Sequence, residues 1–325
     1  MNAKMINIKS GNIVKKAEDL VTARYELGEL SIKLMSVLIS MLRADDKEFA
    51  DCYVLRVADW KELSGLSGRS VYENLERAAK ELMSNPITIE RPHGGFLVVN
   101  WLSEAEWVPG NGEMELRIAP KLKPYLLELK SRFLEYGIEN ILKLKSSYVI
   151  RLYELLKHEF RKVSNYNGQK KVLYEIKIGD LRDMFQIPDS YLYANIKAQI
   201  LDKAQQQLKE KTDIQFTYKE QKKGRAVESI ELTIQENNKG SNDFLASEKA
   251  FIAHMRKHYV NADIYTAKDK NTSKTLLLSV DQKGKLYNKL DMREIDKKRS
   301  AELWSALYLL AKHDKLFCLK QGTLF

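Results

Sequence analysis

The spacing of apolar residues predicts two long helices, each followed by a shorter motif that occurs twice. Apolar residues recur every three or four positions over Glu29–Leu42 and again over Ser147–Phe160, which is typical of a helix that buries one face. Further along, Val57–Leu66 aligns without gaps on Ile178–Ile187. The apolar positions that coincide are Val57 with Ile178, Trp60 with Leu181, Leu63 with Met184, and Leu66 with Ile187. This spacing predicts a short helix in each copy.

The flanks of the two copies also repeat. Asp59 and Asp180 coincide where a side-chain oxygen can cap the first turn of the short helix. After each copy the pattern predicts another helix and then two strands around a turn. The helices are Ser70–Met83 and Tyr191–Lys211, and the strand pairs are Ile87–Glu90 with Phe96–Trp101 and Asp213–Tyr218 with Ala226–Ile234. This order is that of the winged helix-turn-helix, and the offset of 121 residues indicates duplicated domains rather than a solenoid.

A third segment follows a polar linker at Asn237–Asp243. We expect helices and strands to mix there. The predicted elements are a helix over Phe244–Tyr259, strands over Ile264–Thr266, Thr275–Val280 and Leu286–Leu290, and a helix over Arg293–Lys315. The sequence therefore predicts an α+β fold with two tandem winged helix-turn-helix domains and a small C-terminal α/β segment. The predicted boundaries are 12–136, 137–237 and 244–325, the last domain having no assigned role.

Charge is distributed unevenly along the 325 residues, whose net charge is +10. Residues 1–120 carry 15 Lys/Arg against 18 Asp/Glu, whereas residues 140–240 and 241–325 each carry a net +6. We therefore expect a polyanionic partner to bind the second and third segments. No apolar run suits a signal peptide or a membrane span, which favours a cytoplasmic protein without a membrane partner.

The histidines and cysteines do not predict a metal site. Cys52 and Cys318 match no metal-binding spacing, and we expect two free thiols. His254 and His258 are four residues apart, but no third ligand is well placed. The chain also has no His-x-His pair for a nickase, no phosphate-binding loop and no Gly-x-Ser-x-Gly motif. We expect neither a cofactor nor an enzymatic activity.

The second of the two predicted domains has the better helix for DNA recognition. The inner stripe of Tyr191–Lys211 is predicted to be Ile196, Ile200, Ala204 and Leu208, which leaves amide and amine side chains outside. The hairpin that follows has a basic tip, where Gly224 permits a positive φ. The predicted DNA-binding residues are Asn195, Lys197, Gln199, Lys203 and Gln206 on the helix, and Lys219, Lys222, Lys223 and Arg225 on the hairpin.

The first domain is predicted to serve mainly in protein interaction. Its corresponding helix carries Glu73, Glu76 and Glu81, which we expect to face outward and to oppose phosphate. Arg69 and Arg77 are the positions at which it could make minor DNA contacts. For either domain there are two alternatives to DNA binding. The helix and turn could be an ordinary solvated surface, or the domain could serve only in dimerisation.

Several stretches resemble the iteron-binding initiator (Rep) proteins of theta-replicating plasmids. They are Asn12–Val14, Ala23–Leu27, Tyr148–Leu156 and the basic turn Lys222–Arg225 with its alternating strand. The resemblance covers about residues 12–236. It implies that monomers bind direct repeats (iterons) at a plasmid origin, mainly through the second domain. There, Lys197, Gln199 and Lys203 would contact bases, and Lys223 and Arg225 would serve as wing contacts.

The resemblance also implies partners other than the iterons. Dimers formed through the first domain would bind an inverted repeat and repress the protein's own gene. Family members help to melt an AT-rich region, and they recruit the host initiator and the replicative helicase. Two alternatives remain open at this point: a transcriptional repressor with tandem winged helices and no role in initiation, and a protein-interaction adaptor that binds no DNA.

Overall fold

The computed structural model divides the chain into two compact units. The structure describes residues 3–6, 12–43, 45–64, 70–91, 94–108, 110–129, 133–167, 170–237, 251–253, 255–256, 263–268, 275–281 and 285–313. One unit comprises residues 1–8 and 13–240, and the other comprises residues 9–12 and 241–325. Apart from Asn12, both predicted winged helices therefore lie in the first unit, and the C-terminal segment lies in the second.

The first winged helix contains more strands than its apolar pattern predicts. Its strands are β1 (Ala3–Met5), β2 (Ile13–Ala17), β3 (Cys52–Arg56), β4 (Ile87–Glu90), β5 (Phe96–Val99), β6 (Leu102–Val108), β7 (Glu113–Ile118) and β8 (Phe133–Gly137). Its helices are α1 (Glu18–Thr22), α2 (Glu29–Ser40), α3 (Val57–Ser64), α4 (Ser70–Ser84) and α5 (Lys123–Leu126), with a 3₁₀ turn at Pro120–Leu122. The sheets are β1-β3-β7-β6, β2-β8 and the hairpin β4-β5.

The second winged helix follows the predicted order more closely. Its helices are α6 (Glu139–Leu142), α7 (Ser147–Asn167), α8 (Ile178–Phe185), α9 (Tyr193–Ile196) and α10 (Asp202–Lys211), with a π-helical segment at Lys197–Leu201 between the last two. Its strands are β9 (Lys171–Lys177), β10 (Ile214–Lys223) and β11 (Ala226–Glu236), in the order β10-β11-β9. Helix α7 continues past the predicted end at Phe160.

The repeated motif forms the short helices α3 and α8, each of eight residues. Val57 and Trp60 are buried in the first copy, as Ile178 and Leu181 are in the second, because they lie on the inner face at helical spacing. The prediction that Asp180 caps its helix is wrong. Lys177 stands at the N-cap, no side chain caps the helix, and Asp180 lies within the first turn.

The two winged helices share one hydrophobic core, and buried charges of α7 join them. The guanidinium of Arg151 donates to the carbonyl oxygens of Tyr25 and Ala23 at 2.7 Å each. One turn along α7, the buried Glu154 lies 2.6 Å from Lys16 Nζ. Each buried charge therefore has a partner in the first winged helix, as burial of an ion requires.

Among its described residues, the second unit contains a four-stranded sheet and a long helix. Its strands, in order, are β12 (Asp263–Lys268), β13 (Thr275–Val280), β14 (Leu286–Asn288) and β15 (Arg293–Glu294), and its helix is α11 (Lys297–His313). Residues 251–253 and 255–256 are also helical. The prediction of a helix from Arg293 is wrong, because Arg293 and Glu294 pair with β14. The hydrophobic core of this second unit consists of Phe251, Met255, Leu278, Val280, Leu286, Trp304 and Leu307.

Several predictions concern residues outside the described part of the chain. His254, His258, Cys318 and Arg69 are among them, whereas Cys52 is described as a buried free thiol. Within the described residues, no helix combines the length and the apolar character needed to cross a membrane.

Candidate nucleic-acid interface

The recognition helix, Tyr193–Lys211, buries the predicted inner stripe. Ile196, Ile200, Ala204 and Leu208 are all 0% exposed. Leu201 is buried as well, although the predicted stripe did not include it. Leu201 precedes Ala204 and Leu208 by three and seven residues, so it shares their inner face, and it ends a π-helical segment at Lys197–Leu201. Such segments occur frequently at functional sites.

The outer face of the recognition helix carries the predicted polar side chains. Asn195, Lys197, Gln199, Lys203 and Gln206 are all exposed. The side-chain oxygen of Asn195, Oδ1, also accepts a hydrogen bond from the Leu192 backbone N–H at 3.0 Å, which stabilises the start of the helix. Lys203 donates to Gln199, so those two side chains lie side by side.

The wing, formed by β10 and β11, presents its cations at the tip. Lys223 pairs with Ala226 at the end of the ladder, and Gly224 has the expected positive φ of 64°. The four predicted cations Lys219, Lys222, Lys223 and Arg225 are exposed. Lys223 Nζ lies 3.6 Å from a Glu228 carboxylate oxygen, a contact weak enough to leave the lysine available.

An ion pair and hydrogen bonds join the recognition helix to strand β10. Lys197 Nζ lies 2.7 Å from Glu220 Oε1. The Tyr218 hydroxyl donates to Asp202 at 2.5 Å, and burial together with this hydrogen bond raises the pKa of Tyr218. Gln205 donates to the Phe216 carbonyl oxygen at 3.2 Å. The helix and the wing are therefore held beside each other, and the predicted side chains on the outer face of the helix are exposed.

Sequence reasoning missed these contacts. Glu220 and Asp202 were not selected, because a carboxylate within a basic surface has no distinctive spacing.

Gln207 faces away from the wing, because it exchanges hydrogen bonds with the backbone N–H and carbonyl of Lys145 at 2.7 and 2.9 Å.

The corresponding helix of the first winged helix, α4, has a different surface. Glu73 and Glu76 are exposed as expected. The expectation for Glu81 is wrong: it is half-buried and accepts hydrogen bonds from the Gly28 backbone N–H, at 2.8 Å, and from the Ser31 hydroxyl. Glu81 therefore fixes the start of α2 instead of facing solvent.

One cluster in the described part of the chain has the composition of a metal site. The ligand atoms of Glu18, His158 and Glu159 lie within 4.8 Å of one another. However, Lys162 Nζ lies 2.9 Å from Glu18 and 3.2 Å from Glu159. This ammonium already compensates the two carboxylates, so we assign the cluster a role in packing α1 against α7.

Known proteins match both winged helices. Residues 13–157 match the family described as Initiator Replication protein, WH1, and residues 177–234 match Initiator Rep protein, WH2. A Replication initiation protein of Escherichia coli is 25% identical over 185 residues, which are 55% of this chain and 56% of that protein. The chain thus spans little more than half the length of that relative.

Two further known proteins match larger shares of this chain and are matched over most or all of their own length. An uncharacterized 27.6 kDa protein of Escherichia coli is 26% identical over 234 residues, or 67% of this chain and 93% of that protein. The crystal structure of the Pi initiator protein in complex with iteron DNA matches with a TM-score of 0.54 and 17% identity, over 71% of this chain and 100% of that chain. At this identity the match supports the fold alone, and with the family matches it confirms the two predicted winged-helix domains. The chain belongs to the initiator replication (Rep) protein family, which the resemblance in its sequence had indicated.

Proposed function

We propose that this protein initiates plasmid replication by binding direct-repeat double-stranded DNA at an origin through its second winged helix. The observation that carries the proposal is the exposed polar face of the recognition helix, held beside a wing with a basic tip. A related initiator, Pi, was crystallised with iteron DNA, and an Escherichia coli relative is a replication initiation protein. Both facts support the same function for this chain.

The chemistry of the exposed side chains divides their proposed roles. Lys197, Gln199 and Lys203 would contact base edges, because glutamine pairs bidentately with adenine and lysine donates to guanine acceptors. Asn195 and Gln206, at the two ends of the same face, would extend those contacts. The wing cations Lys219, Lys222, Lys223 and Arg225 would contact phosphates, which position the protein without recognising sequence.

The first winged helix and the later steps of initiation complete the proposal. We propose that the first winged helix forms a dimer that binds an operator inverted repeat and represses the protein's own gene. The host initiator and the replicative helicase would be recruited to the bound origin. Melting of an AT-rich tract would use binding energy and DNA bending. The energy needed to deform DNA depends on its sequence and is offset by the contacts that the bend permits.

Replacing Gln199 by alanine should weaken binding to the repeats by about 1–3 kcal/mol and relax the preference at one base pair. The reason is that a bidentate contact to one base is lost while the phosphate contacts remain. Competition binding against repeats mutated one base pair at a time would measure it. Gln207→Ala is the matched control, because Gln207 faces Lys145 instead of the wing. An equal loss on repeat and random DNA would remove Gln199 from the base-contacting set.

Salt dependence tests whether the chain binds a duplex at all. A protein that makes about 6–10 phosphate contacts loses about 10³–10⁵ in affinity between about 50 and 200 mM salt. We expect such a loss for the full chain on DNA from beside its own gene, measured by fluorescence anisotropy. A protein-interaction adaptor would show no salt-dependent binding to any duplex. Binding to a lone inverted repeat, with no direct repeats nearby, would indicate a transcriptional repressor without a role in initiation.

A further inference from the structure

Glu220 lies where the recognition helix meets the wing, and it binds a cation of that helix. The side chains of Lys197 and Glu220 are 47% and 22% exposed, and their charged atoms are 2.7 Å apart. The buried Tyr193 hydroxyl lies beside the same carboxylate. The hydrogen bond from Lys197 lowers the pKa of Glu220, so the carboxylate is charged at neutral pH. A negative charge at this place opposes DNA phosphates.

We propose that Glu220 is a specificity-determining residue, which withholds Lys197 from DNA phosphates and directs its remaining N–H groups toward a base edge. An ammonium group has three N–H donors and no acceptor. Glu220 takes one of them, and the direction of that hydrogen bond restricts where the other two point. The inference rests on the proposed function, because it requires the recognition helix to face a duplex.

The physical reason is the difference between a free cation and a paired one. A free lysine binds any phosphate and releases a counterion, which adds affinity for every sequence alike. A phosphate bound by Lys197 would lie close to the Glu220 carboxylate, whose negative charge repels it. A guanine O6 or N7 can instead accept from Lys197 while the pair with Glu220 persists. The pair therefore lowers non-specific affinity more than specific affinity.

The wing shows the opposite arrangement. Of the residues that the structure describes, Lys219, Lys222 and Arg225 form no salt bridge shorter than 4 Å with any carboxylate, although Lys222 lies near enough to Glu220 to help lower its pKa. These cations remain available to phosphates of any sequence. The wing tip can therefore bind DNA of any sequence, whereas Lys197 on the recognition helix is held by Glu220.

The test is Glu220→Gln in the full chain, with a random-sequence duplex as the probe. Freeing Lys197 should raise affinity for the random duplex about 3–10-fold at low salt and steepen the salt dependence by about 0.9 in log–log slope. Affinity for direct repeats from beside the protein's own gene should rise less, so the ratio of specific to random binding falls. Glu220→Asp, which keeps the charge, should preserve the wild-type slope.

Two further variants separate this mechanism from a general effect of charge. Glu236→Gln removes the same charge from the exposed far end of β11 and should leave the salt slope unchanged. In a Lys197→Gln background, Glu220→Gln should change the slope much less, because Glu220 acts mainly through Lys197 and only weakly on Lys222. An unchanged slope for Glu220→Gln, or an equal increase in the Lys197→Gln background, would overturn the proposal. If the wild-type protein bound repeats and random DNA with equal affinity, the proposed function would be refuted. The four proteins with and without Glu220→Gln and Lys197→Gln would still show, on random DNA, whether Glu220 acts through Lys197.

Discussion

Simultaneous replacement of Lys222, Lys223 and Arg225 by alanine should lower affinity for every duplex by about 100-fold near physiological salt. These side chains are exposed at the tip of a hairpin held against the recognition helix, so they are placed to neutralise phosphates. Loss of three contacts should reduce the slope of log affinity against log salt by about 3. The loss should be the same on repeat and random DNA, because phosphates carry no sequence information. Binding isotherms over a salt series measure both quantities.

A control for this variant has to lose three positive charges elsewhere. Arg43, Lys47 and Lys121 are exposed in the first winged helix and can be replaced by alanine together. This control should keep most of the wild-type salt slope. If both triple variants lost slope equally, net charge would explain binding and the wing would have no special part in it. A selective loss on repeats alone would place the wing among the base contacts.

The second large effect concerns stability: Lys16→Met should lower the free energy of unfolding by about 3–5 kcal/mol. Lys16 and Glu154 are 3% and 2% exposed, and their charged atoms are 2.6 Å apart. Methionine removes the ammonium but keeps most of the volume, so the Glu154 carboxylate remains buried with Tyr136 as its hydrogen-bond donor. Urea denaturation of the full chain, followed by fluorescence and circular dichroism, measures the change.

The neighbouring residue on the same strand provides the control. Lys15 is 40% exposed and lies 3.2 Å from Glu135, so Lys15→Met should cost less than about 1 kcal/mol. The double variant Lys16→Met with Glu154→Leu should recover much of the lost stability, because a buried pair can be replaced by apolar groups of similar volume. Equal costs for the two single lysine variants would contradict the assignment of a buried pair between the winged helices.

The sequence predicted those elements whose periodicity is strong. The stripe from Ile196 to Leu208 and the positive φ of Gly224 follow directly from helical spacing and from the turn that joins two alternating strands. Strand β3 escaped prediction because its first four residues are all buried, which removes the alternation by which a strand is recognised. The start of α11 was misplaced because Arg293 and Glu294 pair with β14, a contact that local sequence does not show.

The candidate interface was only partly predictable for a related reason. Composition indicated which side chains are polar and basic, and helical spacing indicated which of them face outward. The pair between Lys197 and Glu220 joins residues 23 positions apart on different elements. Opposite charges at that separation are common in any chain, so only the fold shows that these two meet. The π-helical segment at Lys197–Leu201 also has no signature in the sequence.

Hydroxyl-radical footprinting of the full chain on DNA adjacent to its own gene tests most directly whether the recognition helix and wing bind a duplex together. The account predicts protected segments that recur with the direct repeats, each about two helical turns long. Gln199→Ala should weaken them at repeat sequences, and the wing triple variant should abolish them at moderate salt. Uniform cleavage in the presence of wild-type protein, or protection that neither set of substitutions changes, would contradict the account.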